Sequence, residues 1–249
     1  MNSHPGVPVI VSEETFDLVA AAVSAWRDTD GLFDPTVHDA VVAHGYDRSY
    51  DQMGGATDAP GGSTPTPTPD AIELDDTMTA LTLPRGVRLD LGGIGKGAAA
   101  DLIVTETMAA GARAVCVNIG GDVRVCGPGP ARGHWPVVLR CTGSREARTI
   151  ELTDGAVCTS TRLRRRWLNR GTPAHHLIDP ATGCPAFTGV ASVGVVAAGA
   201  AQSEVLAKTA YLAGPTAGLD LLHRHGVGGV IVTDDGMVHT VGQMVRLDA

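Results

Sequence analysis

Residues 190–241, VASVGVVAAGAAQSEVLAKTAYLAGPTAGLDLLHRHGVGGVIVTDDGMVHTV, carry the pattern that decides the fold. Apolar runs bounded by glycine predict strands, and apolar residues at helical spacing predict helices between them. The sequence Asp234-Asp235-Gly236 between two apolar runs is typical of a hairpin turn. The predicted elements are a strand over 190–197, helices over 201–213 and 215–225, and strands over 230–233 and 237–241.

The residues before this stretch repeat the same mixture. Ser12 can cap a helix whose first turn holds Glu13 and Glu14. This helix buries one face and ends before Gly31, and another helix is predicted near 97–110. Strands are predicted over 7–11, 72–74, 79–83, 87–91, 113–119, 122–126, 136–141, 148–152 and 155–159. Together these elements predict an α+β fold with mixed α/β layers, in which helices pack on largely antiparallel sheets.

The composition is that of a globular chain. The 249 residues are 43% hydrophobic and 18% charged, which excludes a wholly disordered protein. Lys and Arg number 19 and Asp and Glu number 27, so the net charge is −8. An acidic chain has no general attraction for nucleic acid or for an anionic membrane. No apolar run reaches the ~18 residues of a membrane span, and residues 1–8 lack the pattern of a signal peptide.

The cysteines bear on the cellular compartment. Their number, five, is odd, and no two of them form a CxxC pair. We interpret them as reduced and mostly buried thiols of a cytoplasmic protein.

Residues 51–70, DQMGGATDAPGGSTPTPTPD, differ in kind from the rest of the chain. Met53 is their only large apolar residue, so burial cannot offset the entropy lost on ordering them. We predict a flexible surface loop, extended at its Thr-Pro repeat, within a single domain that spans residues 1–249.

The first candidate motif is LDLGGIGKGAAAD, residues 89–101, where a predicted strand runs into a helix. Glycines at such a turn let backbone N–H groups approach a phosphate. The helix N-terminus favours an anion, and Lys96 adds a positive charge. The motif matches neither the Walker pattern nor the dinucleotide fingerprint, so a tight turn without a ligand is the alternative.

Two shorter motifs also have alternative interpretations. Asn118-Ile-Gly120-Gly121-Asp122 could bring the backbone close to a ligand or could be a plain turn or bulge. Phe33-Asp34-Pro35-Thr36 offers two polar side chains, either of which could instead cap a following helix.

A histidine and an aspartate lie close in the sequence HHLIDPATG, residues 175–183. His176 and Asp179 converge if the strand ends at Asp179 and the chain turns at Pro180. An imidazole beside a carboxylate is the usual general-base arrangement. The alternative is that Asp179 starts a turn and His176 is an ordinary half-buried residue.

Taken in order, these motifs resemble the ApbE family, the FAD:protein FMN transferases. The matching blocks are FDPTV (33–37), LDLGGIGKGAAAD (89–101), NIGGDV (118–123), CTS (158–160), HLIDPATGCP (176–185) and SEVLAKTAYLAG (203–214). Each block is short, but six in one order are specific. The resemblance implies an enzyme that cleaves FAD and transfers FMN to a Thr or Ser hydroxyl of an acceptor protein, with release of AMP and the use of Mg²⁺. It also implies a further N-terminal segment, so we expect the native N-terminus to be missing or the start to be assigned late.

The resemblance implies roles for individual residues as well. His176 would accept the proton of the acceptor hydroxyl, and Asp179 would assist it. Gly95 and Glu204 would provide oxygen ligands to Mg²⁺. The implied FAD-binding residues are Asp34, Thr36, Gly93, Lys96, Asn118, Gly120, Gly121, Asp122, Thr159 and Ser160.

The helix over 203–214 departs from the family pattern. By resemblance, an Asp and a Thr four residues apart ligate Mg²⁺, and Glu204 and Lys208 stand at those positions. A protonated lysine cannot ligate a metal, so the Mg²⁺ requirement is in doubt. Lys208 either forms an exposed i,i+4 pair with Glu204 or acts as a third catalytic residue that replaces Mg²⁺ at the pyrophosphate. After the CTS block, residues 164–166 are all arginine and either meet phosphates or an acidic acceptor or are simply solvated.

We predict FMN transfer from FAD to an acceptor protein, without nucleic acid or membrane as a partner. Two other functions stay open. With water in place of the acceptor, the chain would be an FAD pyrophosphatase that yields FMN and AMP. If the altered helix abolishes turnover, the chain would be a non-catalytic flavin-binding module.

Overall fold

The computed structural model describes residues 1–144 and 147–242. The helices in this part of the chain are α1 (Glu13–Asp28), α2 (His38–Ala43), α3 (Gly95–Ala109), α4 (Ala200–Ala213) and α5 (Pro215–Arg224). Single 3-10 turns cover Tyr50–Gln52 and Pro69–Ala71. The strands are β1 (Val9–Ile10), β2 (Ala56–Thr57), β3 (Glu73–Asp75), β4 (Ala80–Thr82), β5 (Val115–Ile119), β6 (Asp122–Cys126), β7 (Trp135–Arg140), β8 (Ala147–Leu152), β9 (Asp154–Thr161), β10 (Arg166–Asn169), β11 (Thr172–His175), β12 (Ile178–Asp179), β13 (Cys184–Pro185), β14 (Val190–Ala197), β15 (Gly228–Thr233) and β16 (Val238–Val241).

These elements form two compact units. Unit 1 contains Met1–Gly92 and Arg165–Ala186, and unit 2 contains Gly93–Arg164 and the chain from Phe187 onward. The predicted α+β fold with largely antiparallel sheets is confirmed. Among the described strands, only β2 and β10 pair in parallel. A single domain over the whole chain stays a prediction.

Unit 1 is built from small sheets and two helices. Its sheets have the strand orders β1-β4-β3, β11-β10-β2 and β12-β13. Helix α1 begins where predicted, because the Ser12 hydroxyl accepts a hydrogen bond from the backbone N–H of Thr15. Its buried face, with Phe16 and Val19, packs on Leu81 beside the first of these sheets.

The prediction of a strand over 87–91 is wrong, although Leu89 is buried. The Leu89 N–H donates to Oδ1 of Asn2, and Nδ2 of Asn2 donates to the Leu89 carbonyl, each at 2.9 Å. The Asp90 N–H donates to the Pro35 carbonyl at 2.8 Å. A side-chain amide therefore satisfies backbone groups that a neighbouring strand would otherwise pair.

Unit 2 has three layers. Its central antiparallel sheet has the order β16-β15-β14-β9-β6-β5. Helices α3, α4 and α5 cover one face, and the β7–β8 hairpin covers the other. Strand β9 shows the alternation that this requires, because Cys158 packs on the helix side while Val157 packs on the hairpin side.

The loop over 51–70 is mostly irregular, as predicted, but it is hydrogen-bonded to its surroundings in unit 1. The Thr66 N–H donates to the Pro180 carbonyl at 2.9 Å, and the Ser63 hydroxyl donates to the Thr182 carbonyl at 3.1 Å. The flexibility of the loop stays a prediction. Elsewhere, none of the helices in residues 1–144 and 147–242 combines the length and the apolar character needed to cross a membrane.

Candidate active site

Lys96 joins two buried acids in unit 2. It lies in the first turn of α3, directly after the glycine-rich turn that contains the half-buried Gly93. Its Nζ lies 2.6 Å from Oε1 of Glu204 on α4 and forms an ion pair with Oδ2 of Asp122 at the start of β6. Asp122 and Glu204 are 2% and 4% exposed, whereas the Lys96 side chain is 32% exposed. Three predicted site residues from distant segments therefore meet, and Lys96 is the most exposed of the three.

The remaining oxygens of these acids accept backbone hydrogen bonds. The Gly97 N–H donates to Oε2 of Glu204 at 2.8 Å, and the Thr159 N–H donates to Oδ1 of Asp122 at 3.0 Å. Gly97 lies in the first turn of α3, where backbone N–H groups lack a partner within the helix and favour a carboxylate. With every carboxylate oxygen bonded, both acids can be buried without an unsatisfied group.

This pairing also sets the protonation of Lys96. Burial alone would lower the pKa of Lys96, but the charges of Glu204 and Asp122 raise it above its ordinary value. Burial, with the negative charge of Asp122, raises the pKa of Glu204 above its ordinary value, although Lys96 and the Gly97 N–H act in the opposite direction. Lys96 is therefore suited to act as a fixed positive charge and unsuited to act as a base.

Two helix starts hold one another in place near this cluster. A Cβ on Gly97 would lie 2.4 Å from the Ala200 carbonyl oxygen, so only glycine permits the close crossing of α3 and α4. Asp101 of α3 caps α4, because it accepts hydrogen bonds from the Ala200 and Ala201 N–H groups at 2.9 Å each. The glycine-rich motif thus builds this crossing, and the capping role of Asp101 had no local signal in the sequence.

The motif Asn118–Asp122 forms the turn between β5 and β6. Gly120 and Gly121 have φ values of 64° and 103°, which favour glycine. The Gly121 N–H donates to Oδ1 of Asn118 at 3.0 Å. The backbone of this motif is therefore that of a tight turn, as one of the two interpretations predicts. The same turn also borders a cavity.

This cavity has a volume of about 410 Å³ and lies between the central sheet and β7. Three of the predicted FAD-binding residues line it, and Ser160 is half-buried next to them on β9. Its lining includes Asn118, Gly121, Thr159, Cys116, Trp135 and Arg164. Sequence reasoning did not single out Cys116 or Trp135, since neither residue belongs to a motif.

The exposure of Cys116 corrects the prediction that the cysteines are mostly buried. All five are free thiols, but only Cys141 and Cys158 are buried. Cys116 lies on β5 at the wall of the cavity and is exposed.

Asp34 and Thr36 are buried in unit 1, at 3% and 2% exposure. Oδ1 of Asp34 accepts from the Thr36 N–H at 2.7 Å, and Oδ2 accepts from the Thr66 hydroxyl at 2.6 Å. Helix α2 begins at His38 without a side-chain capping bond, so the capping alternative is wrong. These side chains fasten the loop at Thr66, and their contact with FAD stays a prediction.

His176 and Asp179 also lie in unit 1. Nδ1 of His176 is 3.4 Å from the Arg165 carbonyl oxygen, which can only accept, so this contact favours a proton on Nδ1 and leaves Nε2 able to take one. Oδ1 of Asp179 accepts from the Ala181 N–H at 2.9 Å, and Oδ2 accepts from the Thr182 hydroxyl at 3.1 Å. Both oxygens of Asp179 therefore serve the turn, as the alternative interpretation predicts.

The residues predicted to hold Mg²⁺ do not fit the ion. Both Glu204 oxygens are already bonded, one to Lys96 and one to Gly97, and Gly95 offers only a backbone carbonyl. In the described part of the chain, no three His, Cys, Asp or Glu side chains are grouped as metal ligands.

Lys208 lies one turn after Glu204 on α4 and is 7% exposed. The alternative of an exposed Glu204–Lys208 surface pair is therefore wrong, because both residues are buried.

Comparison with known proteins gives a consistent result. A sequence profile of the ApbE family matches residues 1–231. An FAD:protein FMN transferase of Rhodobacter capsulatus is 33% identical over 230 residues, which cover 89% of this chain and 43% of that protein. One from Treponema pallidum is 27% identical, with 98% of this chain and 73% of that protein covered. The crystal structure of the ApbE protein of Thermotoga maritima has a TM-score of 0.83 at 29% identity and covers 96% of this chain and 79% of that one. The chain thus spans less than half of the Rhodobacter relative and about three quarters of the other two.

Proposed function

The chain belongs to the ApbE family, and from this premise we propose that it transfers FMN from FAD to a Thr or Ser hydroxyl of an acceptor protein and releases AMP. The observation that supports this most is that Thr159 links the Lys96 cluster, on the helix side of the central sheet, to the cavity of about 410 Å³ on its hairpin side. Thr159 belongs to both, since its N–H bonds Asp122 while the residue lines the cavity. A fixed cation and an aromatic wall that are linked through one residue suit a ligand that joins a phosphate to an aromatic ring.

The proposed reaction is a phosphoryl transfer. The acceptor oxygen attacks the phosphorus of the FMN half of FAD, the bond from that phosphorus to the bridging oxygen breaks, and AMP leaves with that oxygen. We assign the proton of the acceptor hydroxyl to Nε2 of His176, because the contact with the Arg165 carbonyl favours a proton on Nδ1. Asp179 positions the segment by holding its turn. Lys96 stabilises charge on the phosphate oxygens, because phosphoryl transfer depends on positioning and on electrostatic stabilisation.

Product analysis tests this proposal. We expect FAD, the chain and a hydroxyl-bearing acceptor domain to yield AMP and an acceptor heavier by one FMN in mass spectrometry. AMP and free FMN without an acceptor would identify a pyrophosphatase instead. Recovery of bound but intact FAD in every condition would identify a flavin-binding module. The cytoplasmic location stays a prediction, which cell fractionation would check.

A further inference from the structure

Strand β7 has one unpaired edge. It pairs with β8 alone, in a two-stranded antiparallel sheet. In such a pair only alternate residues exchange backbone hydrogen bonds with the partner strand, so the other residues direct their N–H and carbonyl groups away from it. Within residues 1–144 and 147–242, no backbone group of β7 bonds to anything beyond β8. This edge is therefore open to pairing with another extended segment.

Pro136 indicates which backbone groups point outward. It has no N–H, and prolines in sheets occupy positions where the N–H would point away from the partner strand. Pro136, Val138 and Arg140 alternate along β7, so their backbone groups share this direction. The N–H groups of Val138 and Arg140 are then available as donors, and the carbonyls of all three residues as acceptors. All three are exposed, Val138 at 52%.

The cavity of about 410 Å³ borders this edge. Every residue of β7, from Trp135 to Arg140, belongs to its lining. Successive side chains of a strand point to opposite faces, so a cavity on one face would be lined by alternate residues only. The cavity therefore follows the edge of β7 and not one face of it. A second strand would lie about 4.8 Å from β7 in this direction.

Two unpaired arginines lie at the same cavity. Arg140 and Arg164 both belong to its lining and are exposed, and neither forms an ion pair or a side-chain hydrogen bond in the described ranges. The lining contains no Asp or Glu, and Glu151, opposite Pro136 on β8, is buried and outside it. The chain as a whole has a net charge of −8, so this positive charge is local. Guanidinium groups beside an open strand edge suit the carboxylates of an extended acidic segment.

We propose that the acceptor protein docks on β7 through an extended acidic segment. The segment pairs with the outward N–H and carbonyl groups of Val138 and Arg140, and its carboxylates bind Arg140 and Arg164. This inference rests on the proposed function, which assigns the flavin to the same cavity. Because the acceptor must reach the FMN half of FAD, a segment on this edge would hold the acceptor beside its substrate.

Peptide binding to the full chain tests this without any turnover. The probe is a nine-residue peptide in which glutamate and valine alternate around one threonine, and its matched control has lysine in place of each glutamate. We expect calorimetry to show binding of the acidic peptide alone, weakening as salt is added. Hydrogen exchange of the Val138 and Arg140 amides should slow when it binds. Absence of binding, or equal binding of both peptides, would overturn the proposal.

Charge variants separate an acidic segment from the phosphates of FAD as the anion that the arginines bind. Arg140→Gln and Arg164→Gln should each weaken binding of the acidic peptide by roughly 2–5-fold, the contribution of an exposed ion pair. The exposed Arg224→Gln is the matched control and should bind the peptide like the wild type. Quenching of flavin fluorescence should show the same FAD affinity in all three variants. A loss of FAD affinity with unchanged peptide binding would assign the arginines to FAD and refute the inference.

A backbone variant tests the strand pairing itself. Val138→Pro removes the outward N–H, so we expect it to lose peptide binding while the chain stays folded by circular dichroism. Val138→Thr is the matched control, since it keeps the N–H and the β-branched shape, and it should bind like the wild type. Unfolding of Val138→Pro alone would mean that this N–H bonds β8, which contradicts the assigned direction.

The failure of this inference and the failure of the proposed function give different results. If FMN is transferred to an acceptor protein equally well by the wild-type chain and by Val138→Pro, the docking surface is wrong and the transferase stands. If the acidic peptide binds β7 but no FMN is transferred under any condition, the proposed function fails and the peptide site stands.

Discussion

At the scale of single residues, Gly97 decides how closely two helices approach. Its missing side chain allows the Ala200 carbonyl to lie where a Cβ would stand, and its N–H reaches Glu204. The absence of a side chain at Gly97 therefore lets its N–H position Glu204, one of the two acids that pair with Lys96.

We expect Gly97→Ala to lower the free energy of unfolding by about 1–3 kcal/mol or more, because the added methyl group must force α3 from α4. Gly95→Ala is the matched control two residues away, where a Cβ would meet nothing within 4 Å. The control should be neutral or stabilising by up to ~1 kcal/mol, since alanine favours helix. Urea unfolding of both variants measures this, and equal stabilities would contradict the packing argument.

The ion pairs of Lys96 predict a pH dependence of stability. Asp122 and Glu204 raise the pKa of Lys96 in the folded chain above its ordinary value of 10.5. A group whose pKa is raised on folding stabilises the folded chain by the full amount when the pH is below its ordinary pKa. This contribution is lost as the pH rises through the raised pKa. The difference in unfolding free energy between the wild-type chain and Lys96→Met should therefore be constant from about pH 7 to about pH 10 and shrink as the pH rises above 10.5. A difference that stays constant to about pH 11 would argue against the pairing.

At the scale of elements, the loop over 51–70 has a structural role that its composition hides. Thr66 connects it to Asp34 through its hydroxyl and to Pro180 through its N–H. Pro180 follows Asp179, so the loop lies against the same turn that carries a proposed site residue.

Thr66→Val should destabilise the chain by about 1–3 kcal/mol, because it leaves a buried oxygen of Asp34 without its hydroxyl donor. The change keeps the size and β-branched shape of the side chain. The exposed Thr64→Val, two residues away, is the control and should stay within ~0.5 kcal/mol of the wild type. Denaturant unfolding provides the values. Identical effects of the two variants would mean that the Thr66–Asp34 bond contributes nothing specific.

At the scale of the whole molecule, the residues named in the proposed function are divided between the two compact units. Lys96, Asp122 and the cavity belong to unit 2, while His176 belongs to unit 1. Each unit includes two separate segments of the chain, so no single continuous fragment corresponds to either unit.

His176→Ala in the full chain should keep FAD binding and reduce FMN transfer by ~10²–10⁴-fold, the usual contribution of a general base. FAD binding is measured by the quenching of flavin fluorescence, and transfer by the mass of the acceptor. The exposed His223→Ala controls for loss of an imidazole elsewhere. Unchanged transfer by His176→Ala would remove His176 from the mechanism.

The sequence alone determined the elements and the family. Apolar periodicity, glycines and the Ser12 cap predict most helices and strands, because these signals act over a few neighbouring residues. The strand predicted over 87–91 is the exception. Local signals failed there because the hydrogen-bond partner of Leu89 is Asn2, which is far away in sequence. Six short motifs in order likewise carry the resemblance without any tertiary information.

Only the tertiary structure decided what the motif residues do. Lys96, Asp122 and Glu204 are more than 20 residues apart from one another in sequence, and their ion pairs exist because α3 crosses α4 at Gly97. The burial of Lys208 rejects the surface pair that its spacing from Glu204 allowed. Local sequence sets backbone preferences, whereas charge pairing, burial and cavity walls depend on which distant segments the fold brings into contact.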